Sequence, residues 1–187
     1  MFGSRIVTPL VAALVALPGS IFAQAPVPEA AKSAMAPLAW LAGRWSGEAT
    51  HTGQGGTQVI HQNEDVRPAL EGSLLVVEGT GRKPAEGGDG EIVFRAFGVL
   101  SADDEPGHYR FAAWRAGQFV DADAELSEDG TLTWGFETPE GGRVRYVIRR
   151  PEPDVWHEEG SYFPRGQETG HPFFEMTLRR EPAGEAR

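Results

Sequence analysis

The amino-acid sequence predicts an all-β protein: an antiparallel up-and-down β-barrel of about ten strands, with a short helical cap before the first strand. Three observations predict it. Apolar and polar residues alternate in short segments from residue 44 onward, glycine-containing turns separate the segments, and no long helical pattern lies among them. Strands joined by short turns form a meander, and closing that meander removes its two exposed edges. A two-sheet sandwich is the alternative architecture.

The chain begins with the pattern of a secretory signal peptide. Arg5 carries a positive charge, Ile6–Leu17 is an apolar run, and Pro18-Gly19 precedes small residues suited to cleavage. The apolar run is too short to cross a bilayer as a helix, so we expect no membrane span. Residues 1–23 are therefore predicted to be removed, and the protein is predicted to be periplasmic or secreted.

The composition limits the mature protein further. The chain has no cysteine, so an exported fold must be stabilised by its core without disulfides. A formal net charge of −10 argues against nucleic-acid binding, which needs clustered Lys and Arg side chains. We expect a linker over residues 24–37 with a possible short helix at Glu29–Met35, one barrel domain over residues 38–181, and a C-terminal tail over 182–187.

Ten segments after Gly43 have the pattern of strands. They are 44–52, 57–66, 73–81, 91–100, 109–115, 119–126, 131–137, 143–149, 155–163 and 173–180. Glu128-Asp129-Gly130 and Glu140-Gly141-Gly142 suit short hairpins, because glycine readily adopts the positive φ that such turns need. Lys83–Gly90 is predicted to be a longer loop.

The start of the domain combines an apolar helical turn, Leu38–Leu41, with Gly43 and Trp45. A glycine allows the chain to pass close under one end of the barrel as the helix leads into the first strand. The indole of Trp45 is large enough to plug that end. Both Gly43 and Trp45 are therefore predicted to be structural residues.

Gly43-Arg44-Trp45 resembles the Gly-x-Trp signature of the calycins, which include the lipocalins and fatty-acid-binding proteins. Its extension to Gly47 is similar to nitrobindin-type haem-binding barrels, and Leu38–Arg180 resembles bacterial lipocalin-like proteins of unknown function. The resemblance implies that an arginine of the last strand, Arg179 or Arg180, lies over the Trp45 indole. Of the two, we assign this structural role to Arg179.

Aromatic residues on the strands are the candidates for a ligand pocket. We expect Trp114, Trp134 and Tyr146 to line a cavity, with glycines and alanines on the same strands leaving room. The alternative is that these rings fill the barrel. Charged residues inside a barrel must be paired. Arg145, with Glu137 or Glu175, is therefore the hypothesis for a polar anchor that would bind a ligand carboxylate or amide.

The histidines do not form a close ligand cluster, so a closed zinc site is not expected. The likeness to nitrobindin-type barrels implies a haem ligand near the C-terminal strands, where His157 and His171 are the candidates. No hydrolase elbow, phosphate-binding loop, dinucleotide fingerprint or cysteine nucleophile is present. We therefore expect binding rather than catalysis, with no resident cofactor.

The sequence thus predicts an exported barrel that binds a small hydrophobic or amphipathic molecule. One alternative is a haem- or nitric-oxide-binding barrel. Another is a protein-interaction module with a filled core, in which loops such as Lys83–Gly90 bind the partner. A cavity volume separates the filled module from the other two, and an absorption spectrum separates those two from each other.

Overall fold

The computed structural model describes residues 26–53, 55–86 and 90–182. Within these ranges the strands close into one antiparallel barrel, in which each strand pairs with its neighbours in the chain and the first pairs with the last. The strands are β1 Gly43–Gly53, β2 Gly56–Ala69, β3 Leu74–Arg82, β4 Ile92–Ala102, β5 His108–Arg115, β6 Gln118–Leu126, β7 Leu132–Glu137, β8 Arg143–Arg149, β9 Val155–Phe163 and β10 His171–Arg180. The predicted fold class is confirmed.

Each predicted strand is present, and its bounds agree with the structure to within two residues at every end but one. The largest difference is in β2, which continues three residues past Val66. Beyond Val66 it no longer pairs with β1, but Arg67–Ala69 still pair with β3 through Leu74–Val76. The predicted signal peptide, residues 1–23, lies outside the described residues, as do residues 87–89 of the long loop and the tail after residue 182.

Two short helices precede the barrel: α1 over Glu29–Met35 and a 3₁₀ helix over Ala36–Leu41. Met35, Leu38 and Leu41 are buried, and the Tyr109 hydroxyl donates a hydrogen bond to the carbonyl of Ala34 at 3.1 Å. The short helix expected at Glu29–Met35 is present with these bounds. Residues 29–37, expected within a linker, therefore pack against the end of the barrel.

Three tryptophans close this end of the barrel. The rings of Trp40, Trp45 and Trp156 meet edge to face, with centroids 5.9–6.4 Å apart. Trp45 is fully buried, and its indole N–H donates to the carbonyl of Leu41 at 2.8 Å. The indole therefore holds the 3₁₀ helix across the barrel end, which we call the closed end.

Arg180 lies over the Trp45 indole, with its Cζ atom 4.0 Å from the ring centroid. Its guanidinium also donates to the carbonyls of Trp40 and Ala42. The assignment of this role to Arg179 is therefore wrong. In β10 the even-numbered residues face inward and Arg180 pairs with Trp45, whereas Arg179 is exposed.

Gly43 and Gly47 lie so close to atoms of β10 that a side chain would not fit at either position. Gly43 has a φ of 137°, and a Cβ atom there would lie 2.3 Å from a guanidinium nitrogen of Arg180. A Cβ atom at Gly47 would lie 2.1 Å from the backbone oxygen of Thr177 on β10. The Gly-x-Trp-x-Gly spacing is thus explained by the packing of β1 against β10 and Arg180.

Candidate functional site

The barrel interior contains a cavity of about 340 Å³. It extends from Leu41 and Trp156 at the closed end to His51 and Arg115, which are exposed near the β1–β2 and β5–β6 hairpins. We call this second end the open end. Most of the cavity lining is aliphatic or aromatic, as is usual for sites that bind small molecules.

A stacked aromatic pair forms one wall of the cavity. The rings of Trp134 on β7 and Tyr146 on β8 have centroids 4.2 Å apart and planes inclined by only 10°. Phe111 meets Trp134 edge to face at 4.9 Å, and Phe174 meets Tyr146 at 5.9 Å. The pair is packed against Phe111 on one side and Phe174 on the other, and it gives the cavity an apolar aromatic wall.

Small residues on neighbouring strands leave the space that the rings do not fill. The cavity is lined by Gly79, Ala96, Gly98, Ala113 and Ala124. At Gly98 an added Cβ would lie 2.5 Å from the Phe111 ring, so this glycine lets the ring cross the strand. The interior is therefore hollow, which does not agree with the alternative of a protein-interaction module with a filled core.

The three aromatic residues predicted to line the pocket lie at different depths in the barrel. Trp134 and Tyr146 line the interior. Trp114 also lines the cavity, but at its rim, where it is 44% exposed and pairs across the strands with Phe97 and Phe119. These three rings contact one another, with centroids 5.8 Å and 4.9 Å apart, and form an exposed aromatic patch.

The predicted interior anchor is wrong. Arg145 is exposed, and its guanidinium lies over the Phe163 ring at 4.8 Å. Glu175 and Glu137 are also exposed. The reason is the alternation of side chains: on β8 and β10 the neighbours Tyr146, Phe174 and Met176 face the cavity, so the odd-numbered charged residues face solvent.

Two other acids, Glu64 on β2 and Glu158 on β9, line the cavity instead. Glu158 is only 7% exposed, and one of its oxygens accepts a hydrogen bond from the Trp134 indole N–H at 3.3 Å. Glu64 accepts a hydrogen bond from the side-chain amide of Gln62 at 2.7 Å, and Gln62 is also buried. Two acids are thus among the polar groups that line the cavity.

Sequence reasoning missed this pair for identifiable reasons. Adjacent residues of a strand, such as Glu158 and Glu159, point to opposite faces of the sheet, but the sequence does not show which of the two faces inward. On β2 the inward residues include Gln58, Gln62 and Glu64, so no hydrophobic alternation marks the inner face. The available signal was Trp156, whose burial at the closed end places Glu158 on the same face.

Burial controls the ionisation of both acids. Burial, together with the nearby Glu64 charge, raises the pKa of Glu158 to about 8, although the Trp134 and Trp156 indoles act in the opposite direction. Burial also raises the pKa of Glu64 to about 7, while the hydrogen bond from Gln62 opposes this rise. The Tyr146 pKa is raised by burial and by Glu158. Near neutral pH the pair therefore retains protons that exposed carboxyls would lose.

The open end has the opposite polarity. The Arg115 guanidinium lies over the Phe94 ring at 4.9 Å. Partial burial lowers the pKa of His51, and the positive charge of Arg115 lowers it further. The cavity thus has a cationic group at its mouth and two acids near its closed end.

Neither proposed haem ligand lines this cavity. His157 lies on the outer face of β9, 3.1 Å from the hydroxyl of Thr177, and His171 is exposed at the start of β10. In the described part of the chain, no group of three or more His, Cys, Asp and Glu side chains is arranged to hold a metal ion. Among the same residues, no helix has the length and hydrophobicity to span a membrane.

No protein-family model matches the chain, and no curated protein matches it. Two solved structures are similar in fold. Rv2717c from M. tuberculosis has a TM-score of 0.57 at 14% identity, over 80% of this chain and 98% of that one. The S-type phycobiliprotein lyase CPES from Guillardia theta has a TM-score of 0.56 at 13% identity, over 78% of this chain and 90% of that one. These likenesses support a calycin-like barrel fold.

Proposed function

We propose that this protein binds a small hydrophobic or amphipathic molecule inside the barrel and does so without catalysing its conversion. The observation that carries the proposal is the cavity of about 340 Å³ between the closed end and the exposed mouth. This volume lies within the range usual for small-molecule sites. The fold it shares with a phycobiliprotein lyase is compatible with this function, although the two sequences are only 13% identical.

The aromatic wall formed by Trp134 and Tyr146 favours a ligand with an apolar part. Phe111 and Phe174 pack against these two stacked rings and hold them in place, so little reorganisation is needed to receive an apolar group. Aromatic contacts are worth about 0.5–1.5 kcal/mol beyond the burial of area. The ligand therefore enters from the open end and places its apolar part against this wall.

The haem alternative has less support in the arrangement of side chains. His157 and His171 lie outside the cavity, and His51 at the mouth is the histidine that lines it. A titration of the purified protein with haemin tests this alternative. A Soret shift that is lost in His157→Ala or His171→Ala would favour it over the proposed function.

We also propose that the protein meets its ligand outside the cytoplasm. The support is the signal-peptide pattern of residues 1–23, followed by a cysteine-free chain. The measurement is the intact mass of the protein recovered from the periplasm of its host. Loss of about 23 residues is expected, as judged from the pattern of the cleavage site, and an intact N-terminus in the cytoplasm would contradict export.

The binding test uses N-phenyl-1-naphthylamine, an apolar dye whose fluorescence rises on burial. We expect saturable binding to the wild type and loss of binding in Ala113→Trp, because Ala113 faces the cavity. Ala112→Trp is the matched control, since Ala112 is the adjacent residue on the outer face of β5 and should leave binding unchanged. Equal binding by both variants would contradict an interior site.

A further inference from the structure

Two carboxyl groups, those of Glu64 and Glu158, share the interior of the cavity. Among the described residues that line the cavity, Arg115 is the one with a permanent positive charge, and it lies at the mouth. The described lining therefore places no permanent cation beside the two acids at depth. Because an isolated buried carboxylate is costly, the ionised form of the pair needs a cation from another source.

The hydrogen bonds around Glu158 favour its ionised form. The Trp134 indole N–H already donates to it. The indole N–H of Trp156 is fully buried and has no hydrogen-bond partner among the described residues, yet it lies close enough to Glu158 to lower the pKa of that carboxyl. An ionised Glu158 has enough lone pairs to accept hydrogen bonds from both indole N–H groups, those of Trp134 and Trp156. The site therefore offers two donors to a carboxylate at this position.

We propose that the ligand of this cavity has a basic nitrogen, and that its N–H groups donate to Glu64 and Glu158 while its apolar part lies along Trp134 and Tyr146. This inference rests on the proposed function and narrows it to one chemical class: aryl or alkyl amines, amidines and related cations. A cation at this position neutralises the pair, and Glu158 becomes the acceptor that the Trp156 N–H lacks. Any acidic group on the ligand is placed at the mouth beside Arg115.

Binding of such a cation is coupled to proton release. The titratable groups that face Glu158 from the other strands are Glu64 on β2 and Tyr146 on β8, while Arg115 lies at the mouth of the same cavity. Because Glu158 retains its proton near neutral pH, ionising it against a bound cation sends that proton to the buffer. Affinity for the cation therefore increases as the pH rises from 6 to 8, whereas affinity for a neutral analogue stays flat.

The experiment compares three naphthalenes of similar size by isothermal titration calorimetry: 2-naphthylmethylamine (cation), 2-naphthylmethanol (neutral) and 2-naphthoate (anion). We expect the cation to bind at least about tenfold more tightly than the neutral probe, because a charge-assisted hydrogen bond to a carboxylate is stronger than a neutral one. Titration in two buffers of different ionisation enthalpy should show release of on the order of one proton for the cation.

Matched variants assign the effect to the acids. Glu158→Gln and Glu64→Gln should each reduce the preference for the cation while keeping binding of the neutral probe, which also shows that the variants fold. Glu159→Gln is the control, because Glu159 is the next residue on the outer face, where it pairs with Arg149. It should change none of the three affinities.

The outcomes separate the two proposals. If none of the three probes binds, the proposed function fails and this inference fails with it. If the neutral probe or the anion binds as tightly as the cation, the cavity is a binding site but the acids do not select a basic nitrogen. A preference for the cation that persists in both Gln variants would also overturn the inference.

Discussion

The indole N–H of Trp134 donates to the carboxyl of Glu158 at 3.3 Å, while the same indole stacks on Tyr146 at 4.2 Å. One side chain therefore belongs both to the apolar aromatic wall and to the acidic part of the cavity. Removing its N–H while keeping an aromatic ring on the wall separates these two roles.

Trp134→Phe keeps an aromatic ring on the wall but removes the hydrogen bond to Glu158. Because that bond lowers the pKa of Glu158, we expect the pKa to rise above its wild-type value of about 8. Carbon-detected NMR titration of the glutamate carboxyls measures it. Phe136→Leu, a change on the same strand without a donor, is the control. An unchanged or lower pKa in Trp134→Phe would show that the indole does not support the ionised acid.

The stability of the fold should fall as the pH rises through neutrality. The pKa of Glu158 is about 8 in the folded protein against an ordinary value of 4.5, so the folded state binds the proton more tightly. The contribution of the protonated Glu158 to the free energy of unfolding is fully present below pH 4.5. It is lost as the pH rises from 4.5 to about 8. Glu64 contributes in the same direction, since burial raises its pKa to about 7.

Glu158→Gln tests this dependence, because glutamine has a similar shape and no titration. We expect the variant and the wild type to have similar free energies of unfolding at pH 5. At pH 9 the variant should be the more stable by up to about 5 kcal/mol, since each pKa unit between 4.5 and about 8 corresponds to about 1.4 kcal/mol. Urea unfolding at both pH values measures the difference. The same difference at pH 5 and pH 9 would contradict a protonated Glu158 in the fold.

Arg180 should contribute to stability, and Arg179 should not. Arg180 covers the Trp45 indole and donates to the carbonyls of Trp40 and Ala42, so Arg180→Leu leaves these acceptors unpaired. We expect a loss of about 2–3 kcal/mol in the free energy of unfolding. Arg179→Leu is the matched control: its side chain is 73% exposed, and a change within about 0.5 kcal/mol is expected. Equal effects of the two substitutions would argue against this packing.

Gly47→Ala should destabilise the barrel at the seam between β1 and β10. Its Cβ would lie 2.1 Å from the Thr177 backbone oxygen, so the two strands must separate to accommodate it. A loss of about 2 kcal/mol or more is expected from such a clash. Gly53→Ala is the control, because a Cβ there meets no atom within 4 Å. Thermal unfolding of the two variants gives the comparison, and a Gly47→Ala protein as stable as Gly53→Ala would refute the close approach.

The barrel was predictable because its signals are local. Alternation in segments such as 119–126 and 143–149 and glycines in the turns act over a few residues, and the observed strands largely repeat the predicted bounds. The Gly43-x-Trp45 motif likewise predicted the plug at the closed end.

The site was harder to predict, because neighbouring residues of a strand point to opposite faces. An error of one residue therefore moves a side chain from the cavity to the solvent. Arg145 and Glu175 each lie between apolar residues of their strands, which suggests an inward position. In the structure the flanking aromatic side chains face inward and the two charged side chains face solvent. Glu64 lies on a strand that is polar on both faces, so only the closed barrel shows that it is inside. The choice of Arg179 over Arg180 failed for the same reason.

The central claim is that the interior of the barrel receives the ligand. Intermolecular nuclear Overhauser effects between bound N-phenyl-1-naphthylamine and the alanine methyl groups test it most directly. We predict contacts to Ala113 and Ala124, which line the cavity, and none to Ala112 on the outer face. Contacts to Ala112 without contacts to Ala113 or Ala124 would place the dye on the exposed patch of Phe97, Trp114 and Phe119 and would contradict the claim.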